Sequence, residues 1–248
     1  MKLRSRIGEV RRRVLCHFHS RLVPLGDKGP LISFSFDDFP RTAYTVGAPI
    51  LKSFGARGTY YVSAGLMNTV NDLGEQYHLE DLQDLVAQGH ELGSHTFSHL
   101  SCRAVPLQTF RDDLKKGRQA IRELSGLADS GNFAYPYGDV TLRAKKTLGP
   151  DLVSCRSTIG GINGPEADLN LLRANRLYGG IDEFTGVQRL IRENEERKGW
   201  LIFYSHDVRP QPSRFGCTPA LLEATVSFAA QSKARVLTVA GALAKLQE

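Results

Sequence analysis

Asp37 and Asp38 stand side by side directly after the apolar run LISFSF at 31–36. Two adjacent carboxylates at the end of a buried strand point to different sides and repel each other, and a nearby cation resolves that repulsion. Farther along, His95-Thr96-Phe97-Ser98-His99 follows the extended run HELGSH at 90–95. A four-residue step on a helical turn sets both imidazoles on one face. Two imidazoles and one carboxylate make the three-ligand set of a catalytic zinc site, leaving a position for water. Tyr135-Pro136-Tyr137-Gly138 closes a third run, and His206 follows a fourth, WLIFYS at 200–205. Taken one at a time these are ordinary features: a loop acid, capping histidines, a Pro/Gly turn, a histidine after a strand. What joins them is that each lies at the C-terminal end of an expected strand.

The elements that must position them alternate along the chain. Extended runs at 31–36, 57–63, 90–95, 132–135, 152–157, 171–177, 200–205 and 234–239 are separated by segments of helical period. The clearest helix spans 106–124, with Pro106 in its first turn, apolar residues at steps of three and four, and Gly126 beyond its end. This pattern predicts a single α/β domain, a distorted parallel (β/α) barrel of seven to eight strands, with an open doubly wound sheet as the alternative. In a parallel barrel the C-terminal strand ends share one face, where active sites form. Four chemically capable groups converge there.

In order and spacing, these segments resemble the polysaccharide deacetylases, the NodB-homology domain of carbohydrate esterase family four, over 31–248. Ser35-Phe36-Asp37-Asp38 resembles the family's first motif, and Gly89 to Leu100, with its Gly-His-Glu lead-in, the second. Phe133 to Gly138 is similar to the third, and Tyr204-Ser205-His206 to the fifth. The resemblance implies Asp37 as general base, His206 as general acid, and Asp38, His95 and His99 as ligands of a divalent metal, usually zinc. Pro136 and Tyr137 then line the substrate groove, where a backbone N–H helps to hold the oxyanion. The implied reaction is metal-dependent hydrolysis of an N-acyl group, acetyl or formyl, from an amino sugar in a glycan or lipid-linked sugar. An O-acetyl esterase and a catalytically silent carbohydrate- or lipid-binding module are the alternatives. Three departures stand out. Phe39 replaces the glycine after the Asp pair, which predicts a bulkier site floor. Ala134 stands where many members of the family place a base-steadying arginine, leaving Arg57, Arg156, Arg173 or Arg176 as substitutes. The fourth motif, which orients the acid histidine, has only Asp168 and Asp207 as candidates.

Composition bounds the rest. With 41% hydrophobic and 23% charged residues in 248, disordered, coiled-coil and collagen-like classes are excluded. Residues 1–30 hold eight Lys/Arg against two acids, the whole formal net charge of +6, and the remaining residues are balanced. The organisation expected is therefore a basic N-terminal arm, 1–30, on a neutral catalytic domain, 31–248. Such a neutral body argues against nucleic acid as partner. The arm, with Arg11-Arg12-Arg13 beside Val14, Leu15 and Phe18, has the character of a segment lying on an anionic membrane surface. The N-terminus lacks the apolar core of a secretory signal. A cytoplasmic location, peripheral at the inner membrane face, is the expectation. Four scattered cysteines without a CxxC are expected as free thiols.

Overall fold

The computed structural model describes residues 15–248. Twelve strands are formed: β1 (Leu22–Pro24), β2 (Leu31–Asp38), β3 (Thr59–Val62), β4 (Val70–Asn71), β5 (Gly74–Glu75), β6 (Glu91–Ser94), β7 (Asn132–Ala134), β8 (Ser154–Arg156), β9 (Glu166–Asp168), β10 (Asn175–Arg176), β11 (Trp200–Ser205) and β12 (Arg235–Val236). Seven of them make a curled parallel sheet in the order β10-β11-β2-β3-β6-β7-β8, and β12 joins β2. This is the distorted (β/α) barrel that the alternation predicts. β2 is buried along all eight residues, as a strand flanked on both edges and covered on both faces must be.

Register decides what meets at the rim. Asp38 lies across from Val62, Val62 from Ser94, Ala134 from Arg156, and Arg176 from Tyr204. The residues at and just past these strand ends therefore face one another across the same end of the sheet. Beneath them the core is aromatic: Phe34 stacks on Phe203 with centroids 5.7 Å apart, and Phe36 on Tyr60 at 5.0 Å. Thr141, Thr218 and Thr238 each accept a backbone N–H from the first turn of the helix they precede, the usual use of a β-branched hydroxyl at that position.

Two short pairings have no counterpart in the sequence pattern. β4 and β5 form a hairpin beside the site, and β1 pairs antiparallel with β9. Residues from Leu15 onward, which composition groups with the basic arm, are thus packed into the body. Leu15 is buried against Phe110, Val140 and Leu171 in one apolar cluster, and Arg21 Nη2 donates to the Leu152 carbonyl at 2.8 Å. Of the proposed membrane-facing stretch, Arg11, Arg12, Arg13 and Val14 lie outside the described residues, while Leu15 is buried in the body and Phe18 is exposed. No helix among the described residues is long and apolar enough to cross a membrane.

Candidate active site

The carboxylate of Asp38 and the imidazoles of His95 and His99 place one ligand atom each within 4.8 Å of one another. Among the described residues they are the one such group of three or more. Asp38 Oδ1 lies 3.0 Å from His99 Nε2 and 3.4 Å from His95 Nε2, buried and without a completed hydrogen bond. His95 Nδ1 is 2.7 Å from the Ala134 carbonyl, a partner that fixes the ring and aims Nε2 at Asp38, as a second contact on a ligating histidine does. Burial drives the His95 pKa down to about 4, so the ring is neutral and has a lone pair to give. Burial also works against the Asp38 carboxylate, but the facing His99, with His95 and His206 nearby, outweighs it and holds the group well below the usual range. Ionised carboxylate and neutral imidazoles are the donor set of a divalent cation, and the residues fit one.

The turn carrying the two histidines is not helical. Thr96 and His99 sit at φ 65° and 53°, and the segment bends without a helical hydrogen bond. Its shape comes from the helix Leu107–Ser125. Asp113 Oδ2 accepts the N–H groups of Phe97 and Ser98 at 3.1 and 2.9 Å, and Asp113 Oδ1 accepts the Ser98 hydroxyl at 2.9 Å. Gly117, one turn on, lets that helix touch the histidine loop, for a Cβ there would fall 2.6 Å from the Thr96 carbonyl carbon. The two imidazoles still meet, with centroids 4.9 Å apart. Asp38, Phe39 and Tyr137 also have positive φ. Five of the eight non-glycine residues in that region thus cluster at this one rim, where surrounding structure must hold them.

Asp37, beside Asp38 on β2, is 3% exposed, and both its oxygens lie 2.5 Å from Arg156 Nη2. The Arg156 guanidinium is sandwiched between the rings of Tyr61 and Tyr204, 4.9 Å from each centroid. His206 lines the same cavity, of about 1020 Å³, with Asp37, Asp38, His95, His99 and Tyr137. Its Nδ1 lies 3.1 Å from the Phe215 carbonyl, which leaves Nε2 for the cavity. Tyr137 is 68% exposed, with its ring 4.4 Å from that of His99, and forms a lip. Pro136 is buried beneath it and does not line the cavity.

A profile of the polysaccharide deacetylase family matches residues 26–149, half of the sequence. The chain belongs to this family. No curated protein matches it. Solved structures agree on the fold. The carbohydrate esterase family 4 domain of a multidomain xylanase from the hindgut metagenome of Trinervitermes trinervoides superposes with a TM-score of 0.59 at 19% identity, covering 88% of this chain and 91% of that one. A deacetylase, T48, solved with its substrate gives 0.57 at 15%, covering 87% and 92%. The peptidoglycan deacetylase PdaC from Bacillus subtilis gives 0.55 at 14%, covering 89% and 93%.

In this deacetylase the three departures from the family motifs resolve physically. The arginine absent at Ala134 is supplied by Arg156, its neighbour across the β7–β8 rung. Of the other candidates, Arg57 is turned to the Gln88 carbonyl and Arg173 to that of Gly160. Phe39, expected to enlarge the site floor, instead turns into the core: it is fully buried, stacked on Tyr77 at 4.6 Å and tilted on Tyr60 at 5.1 Å. Neither acidic candidate orients His206. Asp168 is engaged by Lys145, Arg21 and Asn170. Asp207 accepts Ser213 N and Oγ and pairs with Arg209; that closes the 207–216 loop, and the loop delivers the Phe215 carbonyl to His206. Asp113 went unrecognised in the sequence. Its signal was a glycine four residues later, inside an amphipathic helix where glycine costs about 1 kcal/mol.

Proposed function

We propose that this deacetylase hydrolyses an N-acyl group from an amino sugar, with a divalent cation, zinc by the chemistry of its ligands, held by Asp38, His95 and His99. The observation that carries the reading is the arrangement of one cavity: the three-ligand group, the arginine-held Asp37 beside it, and His206 on the same wall. When bound, the cation supplies positive charge that polarises the acyl carbonyl and acidifies water. Asp37, held by Arg156, takes the proton from the attacking water. His206 gives a proton from Nε2 to the departing amine, which would otherwise leave as a poor anion. A peptide N–H of the turn at Pro136 and Tyr137 helps to hold the oxyanion.

The test is acyl release from a panel of N-acetylated and N-formylated amino sugars, read by mass spectrometry with metal content measured alongside. Asp37→Asn and His206→Ala should each lower kcat by about 10²–10⁴ while metal stays bound. Turnover of Asp37→Asn at the wild-type rate would remove Asp37 from this role. One observation favours a second reading, O-acetyl ester hydrolysis. His206 is backed by a carbonyl and not by a carboxylate, and an alkoxide needs less help from an acid than an amine does. Parallel assays of N- and O-acetylated sugars separate the two.

A further inference from the structure

The cavity that holds the candidate metal ligands continues on its β10 side into a second hollow of about 830 Å³. The two share Arg176, Tyr178, Leu190 and Arg214. Arg176 reaches the shared wall from β10, across the rung from Tyr204. Arg214 is carried by the loop that Asp207 and Ser213 close, with its guanidinium 4.5 Å from the centroid of the Phe215 ring. Arg189 comes from the helix Phe184–Arg197, where Gly186, Arg189, Leu190 and Glu193 fall at steps of three and four and line the second hollow with one face.

These three arginines share one hollow, and among the described residues a carboxylate holds none of them. Arg41, Arg103, Arg118, Arg156, Arg197 and Arg209 are all within ion-pair distance of a carboxylate. Among the described residues, Arg176, Arg189 and Arg214 have no such partner. Of the two carboxylates on the wall of the second hollow, Glu183 and Glu193, Glu193 is already held by Arg197. Asp72 lines the main cavity from the β4–β5 hairpin, which follows β3, three strands along the sheet from β10. Outside the N-terminal thirty residues the chain is charge-balanced, so three unpaired guanidiniums facing one trough are a local concentration of positive charge. They line the hollow that opens from the cavity holding the candidate metal ligands.

We propose that the amino sugar this enzyme deacylates carries a phosphate, received by Arg176, Arg189 and Arg214. This rests on the deacylase reading of the same cavity and names its substrate class. Guanidinium forks bind phosphate through paired N–H donors, and three of them from separate elements suit a group that presents three oxygens. The 207–216 loop is fixed by its own hydrogen bonds, so the backbone that carries Arg214 is already ordered when the anion arrives.

The experiment is calorimetric titration of the full-length, metal-loaded enzyme with N-acetylglucosamine and with N-acetylglucosamine 1-phosphate. The phosphorylated sugar should bind about 10- to 1000-fold more tightly, about tenfold for each arginine fully engaged, and the preference should shrink with added salt. In Arg176→Gln/Arg189→Gln/Arg214→Gln the two sugars should bind within about threefold of each other, while Lys52→Gln/Lys233→Gln/Arg235→Gln, an equal loss of charge outside the cavity, should keep the preference. A third titrant, the sugar phosphate on a polyprenyl chain in micelles, separates the sources of the anion: a further gain in affinity identifies a lipid-linked substrate, and equal affinity a soluble one, both supporting the subsite. Equal binding of neutral and phosphorylated sugar by the wild type overturns the proposal, as does a preference that survives in the triple variant or no measurable binding of either. Acyl release is read separately. A phosphate preference without acyl release refutes the deacylase reading and leaves the subsite standing; release without preference does the reverse.

Discussion

Replacing Arg156 with methionine removes the only cation among the described residues that pairs with Asp37 while keeping an unbranched side chain of similar length. The guanidinium is 1% exposed and the Asp37 side chain 5%. Water therefore cannot take over when the pair is broken. Stranding one charge of a buried pair costs about 3–5 kcal/mol. The two ring contacts with Tyr61 and Tyr204 are part of the same arrangement and are not added on top. For a domain of this size each 1 kcal/mol lowers Tm by about 2–4 °C, so Arg156→Met should melt about 6–20 °C below the wild type. The double variant Asp37→Asn/Arg156→Met removes both charges. It should recover part of that loss, with a coupling of about 2 kcal/mol or more in a thermal or denaturant double-mutant cycle. Bound metal should be unchanged in Arg156→Met, since Arg156 touches no ligand atom, while kcat should fall about 10²–10⁴-fold with the base no longer held. A loss below about 1 kcal/mol, or strictly additive single variants, would refute the claim that this pair is what holds Asp37.

Asp113→Ala should lower metal affinity about 10- to 100-fold by releasing the histidine turn, read by competition with a chelator; unchanged affinity would make Asp113 a helix residue only. Phe39→Gly relieves a left-handed φ but empties space between Tyr60 and Tyr77, and should cost about 2–4 kcal/mol in denaturant unfolding. His90 and His95 are both driven from 6.5 down to about 4 by burial, with the Arg57 charge adding to the effect at His90. The folded state thus binds fewer protons than the unfolded chain between those values. Their contribution is whole above pH 6.5 and is lost as pH falls toward 4, at up to about 1.4 kcal/mol per pH unit for each histidine. Unfolding of metal-free protein at several pH values should show this slope, and His90→Gln should reduce it by about one proton; an unchanged slope would exclude His90 as a source.

Much of the fold was legible because its strands obey the simplest rule available. LISFSF, WLIFYS and their companions are short apolar runs between helical segments, and each carries its chemistry at the C-terminal end. Asp37, Asp38, His95, His99 and His206 were found by that position as much as by type. What escaped was set by tertiary contact. HxxxH reads as a helical turn, but Asp113 takes the backbone N–H groups that a helix would use. Ala134 reads as a missing arginine until the rung to Arg156 is known, and rungs between strands far apart in sequence leave no mark in it. Phe39 reads as an obstruction because its direction depends on a left-handed φ, which spacing does not encode. The β1–β9 pairing was invisible for a related reason: three-residue strands show no period.

The fully buried Lys145 bears on how this protein can be handled in the laboratory. Its ammonium is met by the Leu15 carbonyl at 2.7 Å, the Ser20 hydroxyl at 3.1 Å and the Asp168 carboxylate at 2.6 Å. A recombinant version cut at Pro30, where composition changes and a designer would place the boundary, deletes two of those three partners. It also leaves β9 unpaired and the Asn170 amide without the His19 carbonyl. Poor yield or precipitation of such a truncation would then report a broken seam between the two ends of this contact, and would say nothing about membranes or catalysis. Trimming that stops before Leu15 keeps the seam closed, and only such a version is a fair comparison for the full-length enzyme.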